Sequence, residues 1–446
     1  MIKPHEAPGK VSSSEEVVIL GGGVTGLAAA RASGLPVYER WETPGGICAS
    51  YYVRPGRDER LPAPPGDSHA YRFEIGGGHW IFGASTLVRR FLERLAPLES
   101  YERRAAVYFP DRKLYVPYPL QNHLGYLGRD LAAKILEEIQ RPPQGQPLTL
   151  ADWLEQSFGR TLMELFFAPF HEAYTAGLWT RVAPQDAYKS PVDLELVKQG
   201  ASGQTPAVGY NAFFLYPRHG LDALVAGLAR TCRLHLKRWV TRIDPRRKHV
   251  EFADGSGVRY QTLLSTLPLN QMLRLAGLAP DEEPDPATSV LVLNIGAWRG
   301  PECPDAHWIY VPRSSSRFHR VGFYSNIEAG FAPGLAGQRV GLYVERAFRR
   351  REELVGEEEE SYASAVIGEL RQWGFITEVE VVSPTWVEVA YTWRLPGSRW
   401  RERALRLLEE HDILMTGRFG KWAFQGIADS IQDGLLAGAA LGRGAR

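Results

Sequence analysis

Val17-Val18-Ile19-Leu20-Gly21-Gly22-Gly23-Val24-Thr25-Gly26-Leu27-Ala28-Ala29-Ala30-Arg31-Ala32-Ser33-Gly34 is the stretch on which the fold turns. Its first four residues, apolar and mostly β-branched, read as a buried parallel strand. The glycines follow at the spacing Gly21-x-Gly23-x-x-Gly26, and the alanine-rich run after them reads as a helix that Gly34 ends in a left-handed conformation. Pro36-Val37-Tyr38-Glu39 then reads as a second strand closed by an acid about 18 residues after Gly21. Gly21 makes the tight turn, Gly23 lets backbone approach a pyrophosphate, and Gly26 lets helix pack on strand. The helix start, with Val24 and Thr25, supplies N–H groups and a positive dipole end. Glu39, followed by Arg40, is placed to bond ribose hydroxyls. Strand, glycines, helix, strand and acid in this order predict a dinucleotide site.

Working outward, a chain of 446 residues with 44% apolar residues and 12 Trp is long enough for more than one core. The 52 basic and 51 acidic residues leave a net charge of +1, which makes no case for nucleic acid or an anionic membrane as partner. Three cysteines, Cys48, Cys232 and Cys303, are too few for a disulfide frame or a zinc site and point to a reducing, cytoplasmic compartment. No apolar run is long enough to span a bilayer, and residues 1–15 read as a mobile tail without a signal-peptide core.

Two more glycine passages follow. Gly45-Gly46 after Pro44 marks either an ordinary turn or a second approach of backbone to the cofactor. Gly76-Gly77-Gly78-His79, between a short strand and the aromatic run Trp80-Ile81-Phe82, suggests backbone pressed against a flat ligand. Val107–Phe109 and Lys113–Val116 read as a hairpin, residues 129–199 as largely helical, and residues 288–394 as strand-rich. The chain closes with a short strand, Ile413-Leu414-Met415, a glycine turn around Gly417, and a helix opening at Gly426–Ile431. These would return to the nucleotide domain and bring backbone N–H groups to the cofactor's far end.

With those pieces assembled, the chain resembles the flavoproteins of the amine-oxidase and protoporphyrinogen-oxidase type, and within them the UDP-galactopyranose mutases. The resemblance runs through Glu42-Thr43-Pro44-Gly45-Gly46, Gly77-Gly78-His79-Trp80-Ile81-Phe82, Val116-Pro117-Tyr118-Pro119-Leu120-Gln121-Asn122, Phe318-His319-Arg320, Tyr324-Ser325-Asn326 and Gly417-Arg418-Phe419-Gly420-Lys421-Trp422. It implies an α/β fold with a Rossmann-like FAD-binding domain of amine-oxidase type, an inserted helical domain and an antiparallel or mixed sheet domain for substrate. The corresponding boundaries are 16–95 with 216–285 and 400–446 for the FAD domain, 96–215 for the helical domain, and 286–399 for the sheet domain.

The resemblance also implies FAD on Gly21, Gly23, Val24, Thr25, Gly26, Glu39, Arg40, Gly45, Gly46, Gly77, Gly78, His79, Val240, Gly417, Asp429, Ser430 and Ile431. It places His79, Arg320 and Arg418 at the reacting centre, the arginines gripping a diphosphate through the planar fork that suits phosphate oxygens. Phe82, Gln121, Asn122, Tyr310, Asn326 and Phe424 would complete a site for a small-molecule substrate, a nucleotide sugar. The implied reaction is a redox-neutral pyranose–furanose interconversion through a sugar adduct on reduced-flavin N5, with an external reductant supplying the electrons. The alternative is an FAD-dependent oxidoreductase of the same fold. The residues themselves also allow Arg320 to be half of an ion pair, Arg418 to brace the glycine turn, and Tyr310 to be core. Departures from the mutase pattern are Phe424 and Leu395 near expected tyrosines, Ala428 for an asparagine, and Thr175 for a tryptophan.

Overall fold

The computed structural model describes residues 13–142, 145–185, 193–204 and 211–442. Val17–Leu20 is the central strand of a five-stranded parallel sheet, in the order Arg233–His235, Pro36–Tyr38, Val17–Leu20, Thr262–Ser265, Ile413–Met415. Successive side chains on a strand point to opposite faces, and here both faces are covered. Val17 and Ile19 pack with Ala29 and Ala30 of the helix Val24–Ser33. Val18 and Leu20 pack with Leu269 and Met272 of Leu269–Ala276 and with Trp400 and Leu408 of Trp400–Glu409. That is why all four residues are apolar.

The last helix, Ile427–Gly442, lies tightly against Val24–Ser33. Gly434, Gly438 and Gly442 recur every fourth residue on one face. A Cβ at Gly434 would overlap the Thr25 carbonyl, one at Gly438 the Ala29 carbonyl, and one at Gly442 would come within 3.0 Å of Ser33 Cα. The chain's end is thereby fixed beside the first glycine turn.

A four-stranded sheet beside it runs Ser13–Ser14, Gly257–Arg259, His249–Phe252, Val240–Asp244, with Gly255 at φ +76° in the turn between the middle two. Ser13 and Ser14, expected within the tail, pair in parallel with Val258 and Arg259. An exposed strand edge offers unpaired N–H and C=O groups, and the chain takes them up just before the central strand. Residues 1–12 of that expected tail lie outside the described residues.

The third sheet has seven strands, ordered Ile376–Thr392, Ala287–Arg299, Arg339–Phe348, Arg320–Phe323, Trp308–Tyr310, Ala105–Phe109, Leu114–Pro117. It is antiparallel except where Trp308–Tyr310 meets Ala105–Phe109 in parallel, so the hairpin expected within the helical block completes this sheet. Its back face, with Leu293, Ile309, Val321 and Val344, packs on Tyr362, Val366 and Leu370 of the helix Glu357–Gln372. Its front face carries two rows set by register. Tyr310, Arg320, Glu345 and Val292 stand opposite one another, and two residues along stand Trp308, Gly322, Tyr343 and Asn294.

The helical block contains Arg129–Ile139, Leu150–Leu162, Ala168–Tyr174 and Leu194–Ala201. Thr149 and Asp152 close a capping box at the start of the second of these. No helix among the described residues is long and apolar enough to cross a membrane.

Gly438→Val, which drives a branched side chain into the Ala29 backbone, should cost at least about 1–3 kcal/mol and lower the thermal midpoint. Gly368→Ala, on an exposed helical position where a Cβ meets nothing within 4 Å, should leave stability unchanged or raise it by up to about 1 kcal/mol. Parallel thermal melts of the two variants check both signs.

Candidate active site

The nucleotide end is built almost wholly from backbone. Gly21, at φ +96°, makes the turn out of the central strand, and Thr266 fills the groove beneath it, its hydroxyl donating to the Leu20 carbonyl at 3.1 Å. A Cβ at Gly26 would overlap the Gly21 carbonyl, so helix and strand touch there without a side chain between them. Gly23 is different: a Cβ there would meet only the Gly45 carbonyl, at 4.0 Å. Its φ of −69° and ψ of 177° suit any residue. Its lack of a side chain leaves open space rather than relieving a local clash.

Gly45 bridges to Gly23, and its N–H donates to the Gly22 carbonyl at 2.8 Å, so both glycine passages line one seam. No side chain caps the start of Val24–Ser33, which leaves its first N–H groups facing that seam. The buried Glu39 carboxylate accepts from the N–H of Gly22 at 2.6 Å and of Trp41 at 3.0 Å. These bonds aim it and leave further lone pairs for ribose hydroxyls. Arg40 is exposed over the Trp41 ring. The Arg238 N–H donates to the Glu39 carbonyl at 2.7 Å, which brings the buried Val240 to the same end. The helix Ile427–Gly442 begins with Asp429 exposed and Ser430 and Ile431 buried. Gly417, at φ +75°, would set a Cβ 2.7 Å from the Thr25 hydroxyl.

The opposite end carries the charge. Arg320 is paired with the Oε1 of Glu345 across the strands, and His319 Nε2 stands 3.6 Å from the other carboxylate oxygen. The side chains of Arg320 and Glu345 are 16% and 2% exposed, so this is a buried pair. Burial pushes the Glu345 carboxyl up, but the Arg320 guanidinium outweighs it and holds it down at about 2. Arg320 also lies 5.4 Å from the centre of the Tyr343 ring. That ring rests over Gly322, where a Cβ would overlap it, and its hydroxyl abuts Gly78. Gly77 brings its α-carbon to the same place, where a Cβ would stand 2.8 Å from Glu345 Oε1.

His79, the next residue, is neutral at ordinary pH, because burial and then the Arg418 charge bring it down to about 4. Its Nδ1, the Arg320 Nε, the second Glu345 oxygen and the Tyr343 hydroxyl are all buried without a hydrogen-bond partner. Such groups are costly to leave unpaired, and four around one glycine bed point to a polar ligand there.

Arg418 enters from the turn Gly417–Gly420. Its guanidinium donates to the Ala390 carbonyl at 2.8 Å, lies 4.6 Å from the Phe424 ring centre and 5.5 Å from that of Tyr391. Among the described residues it has no carboxylate partner. Burial and then the Glu345 charge lift the Tyr391 hydroxyl to about 12, while the charges of Arg320 and Arg418 pull the other way. Tyr174, Gln185, Tyr391, Thr392, Trp393, Arg418 and Phe424 line a narrow pocket. Tyr174 links it to His319, at 5.3 Å between ring centres.

The structure thus brings together His79, Tyr310, Arg320, Arg418 and Phe424 from five separate segments. Tyr310 stands beside Arg320 in register and meets Tyr118 and Phe170 at 4.8 and 5.4 Å. Gln121 and Asn122 are buried on the turn Leu120–Asn122, just past Tyr118. Phe82 packs against Phe214 and Trp308, one layer further out. Asn326 is committed elsewhere: its amide donates to the carbonyls of Pro304 and Ala306 and accepts from Arg299, pinning that loop. Sequence reasoning passed over Tyr343 and Glu345, although an acid inside the apolar run Val340–Phe348 was a signal of a buried partner. It passed over Tyr391, Trp393 and Thr266 as well, which carry no local signal.

A family model described as flavin containing amine oxidoreductase matches residues 26–437. Among solved structures, a reduced UDP-galactopyranose mutase is similar at TM-score 0.81 and 21% identity, over 97% of this chain and 96% of that one. Putrescine oxidase bound to putrescine is similar at TM-score 0.59 and 14% identity, over 98% and 100%. A CLA-producing fatty acid isomerase from P. acnes is similar at TM-score 0.56 and 16% identity, over 94% and 97%. At these identities the likeness is one of fold.

Glu345→Gln should cost about 3–5 kcal/mol, because it strands the buried Arg320 charge. The native carboxylate's contribution is complete above the ordinary carboxylate range near pH ~4.3 and is lost as pH falls from there toward about 2. Urea melts across that interval should show a steep acid limb in the wild type and a flatter one in the variant.

Proposed function

The chain belongs to the flavin-containing amine oxidoreductase family, and from that premise we propose that it is a nucleotide-sugar mutase working on FAD. FAD fits what the residues offer. The bare Gly23–Gly45 seam and the uncapped start of Val24–Ser33 suit its pyrophosphate, Glu39 its ribose, and the Gly76–His79 bed its flat ring. When bound and reduced, FAD supplies the nucleophile for an anomeric carbon.

The observation that carries the reading is Arg418, which lies 5.5 Å from the Tyr391 ring centre in a pocket that Tyr174 links to His319, the neighbour of Arg320. Arg418, with carbonyl but no carboxylate partners among the described residues, keeps its full charge for an incoming phosphate. Arg320 is pre-aimed by Glu345. Together they would hold a leaving diphosphate as negative charge develops on it, beside the rings of Tyr174, Tyr391 and Trp393. His79 stays neutral at pH 7 and so adds no competing charge. A sugar held by its diphosphate needs no protein acid–base pair at the anomeric carbon.

The ring-walled pocket favours a second reading, an FAD-dependent oxidoreductase for a small amine or aromatic molecule. Phe424, 38% exposed, presents an apolar ring at the mouth where the mutase pattern has a hydroxyl. Turnover separates the two. A mutase needs prior reduction by dithionite, interconverts a nucleotide sugar and consumes no oxygen. An oxidase consumes oxygen and needs no reductant.

Arg418→Ala and Arg320→Ala should each weaken nucleotide-sugar binding to the reduced protein about tenfold or more while keeping the yellow colour, as about 1.5–3 kcal/mol per charged hydrogen bond requires. Flavin-fluorescence titration reads both; loss of colour in Arg418→Ala would assign that residue to the cofactor instead. Gly23→Val should fold with an unchanged far-ultraviolet spectrum yet purify colourless, since the added methyls occupy the seam without striking the fold.

A further inference from the structure

Below the Gly76–His79 bed lies an acid for which the proposed reaction has no use. Glu74, on the strand Tyr71–Glu74, has no solvent exposure. Its Oε1 accepts from the Tyr216 hydroxyl and from the Leu221 N–H, and its Oε2 accepts from the Ser50 hydroxyl at 2.7 Å. Its carbonyl accepts from the Gly77 N–H at 3.2 Å, which ties it directly to the bed. The Cys48 thiol, just past Gly45-Gly46, feels both Glu74 and Arg418. The carboxyl is therefore within electrostatic reach of both glycine passages.

A hydrogen-bonded cluster extends from it. Ser50 Oγ accepts from the Asp222 N–H at 3.3 Å, and the Asp222 carboxylate accepts from the Tyr52 hydroxyl at 2.6 Å, on half-exposed ground at the start of the helix Leu221–Ala229. The groups facing Glu74 are few and accountable. Arg72 stands beside it on its own strand, paired with Glu328 at 2.6 Å. Tyr216 faces it from Phe213–Pro217 and Tyr52 from Ser50–Val53, with Asp222 beyond. Tyr324 lies on the far side through Asn294.

We propose that Glu74 is a redox-linked proton acceptor, which takes up a proton from solvent when the bound flavin is reduced. The balance is simple. An external two-electron donor such as dithionite delivers two electrons, one proton goes to the flavin, and the site is left one charge more negative. That added charge raises the proton affinity of the nearest buried carboxylate, and Glu74 neutralises it by becoming a carboxylic acid. Burial already pushes this carboxyl up to about 7, with Arg72, Tyr216 and Ser50 pulling it back, so a modest added negative charge is enough to load it. Substrate and reduced flavin then meet in a site whose net charge has not fallen, which suits a dianionic diphosphate. The inference rests on FAD as cofactor and holds whichever reaction follows.

The test counts protons. With a pH indicator in weakly buffered solution at pH 8, and the protons released by oxidation of dithionite itself subtracted, reduction of the wild-type holoenzyme should take up about two protons per flavin, and Glu74→Gln about one. Equal uptake in both overturns the proposal. An infrared difference spectrum of wild type, reduced minus oxidised, should gain the C=O band of a protonated carboxylic acid. Its absence overturns the proposal even if Glu74→Gln fails to fold. Glu74→Asp, which keeps an acid there, should restore the uptake of the second proton, an effect that a purely structural role would not give. Because none of these readouts involves sugar, failure of the mutase reading leaves them unchanged.

Discussion

A guanidinium cannot be taken out of water alone, and the site is arranged around that constraint. Removing one ion from water costs several kcal/mol even after relaxation, so a buried arginine must bring its counter-charge with it. Arg320 meets Glu345 because antiparallel register sets them opposite each other on neighbouring strands. The same register places Tyr310 on one side of the pair and Val292 on the other, and stacks Tyr343 over Gly322 in the next row. Once the pair is buried, the groups around it are held in place. Tyr343 is pressed toward Gly78, and the carboxylate toward Gly77, so the glycine bed is shaped by contact with an ion pair rather than by its own turn propensity.

The nucleotide end obeys a different rule, contact of backbone with backbone. Gly26 on Gly21, Gly434 on Thr25 and Gly438 on Ala29 bring helix to strand and helix to helix with no side chain between. Gly417 packs on the Thr25 side chain, and Arg418 is its neighbour in sequence. The reach of Arg418 toward Tyr391 is therefore set by how closely the last strand and helix return to the first glycine turn. Charge placement at one end depends on backbone contact at the other. A chain interrupted by some 380 residues between these two segments can still deliver one composite site.

Sequence made the backbone-built half legible and the side-chain-built half only in outline. Glycine spacing, strand run and terminal acid are local signals, and the turn at Gly21, the left-handed end at Gly34 and the aim of Glu39 follow from them. The arginines were found through resemblance, since a lone Arg in a strand has no local mark. Glu345 was legible in principle as an acid in an apolar strand, but its partner depends on register across two loops, which no local pattern encodes. Asn326 shows the reverse error of inference. It stands in a matching motif, yet its half-buried amide answers the loop carbonyls of Pro304 and Ala306. The hairpin 105–117 was read correctly as a hairpin, but its union with a distant sheet is a tertiary choice made by edge pairing.

The fold itself is neutral toward the reaction, since a mutase, an amine oxidase and a fatty acid isomerase all share it with this chain. What distinguishes reactions on a common flavin bed is which charges the opposing wall leaves uncompensated. Here the wall holds one compensated arginine, one arginine met only by carbonyls and rings, and a neutral histidine. On the proposed reading that arithmetic would favour an anion, because Arg418 has no carboxylate partner among the described residues. The rings of Tyr174, Tyr391, Trp393 and Phe424 line the pocket around that guanidinium. On the proposed reading the pocket would select first on charge and then on shape, and it is at Phe424, on the pocket, and at the buried Thr175 that this chain departs from the mutase pattern.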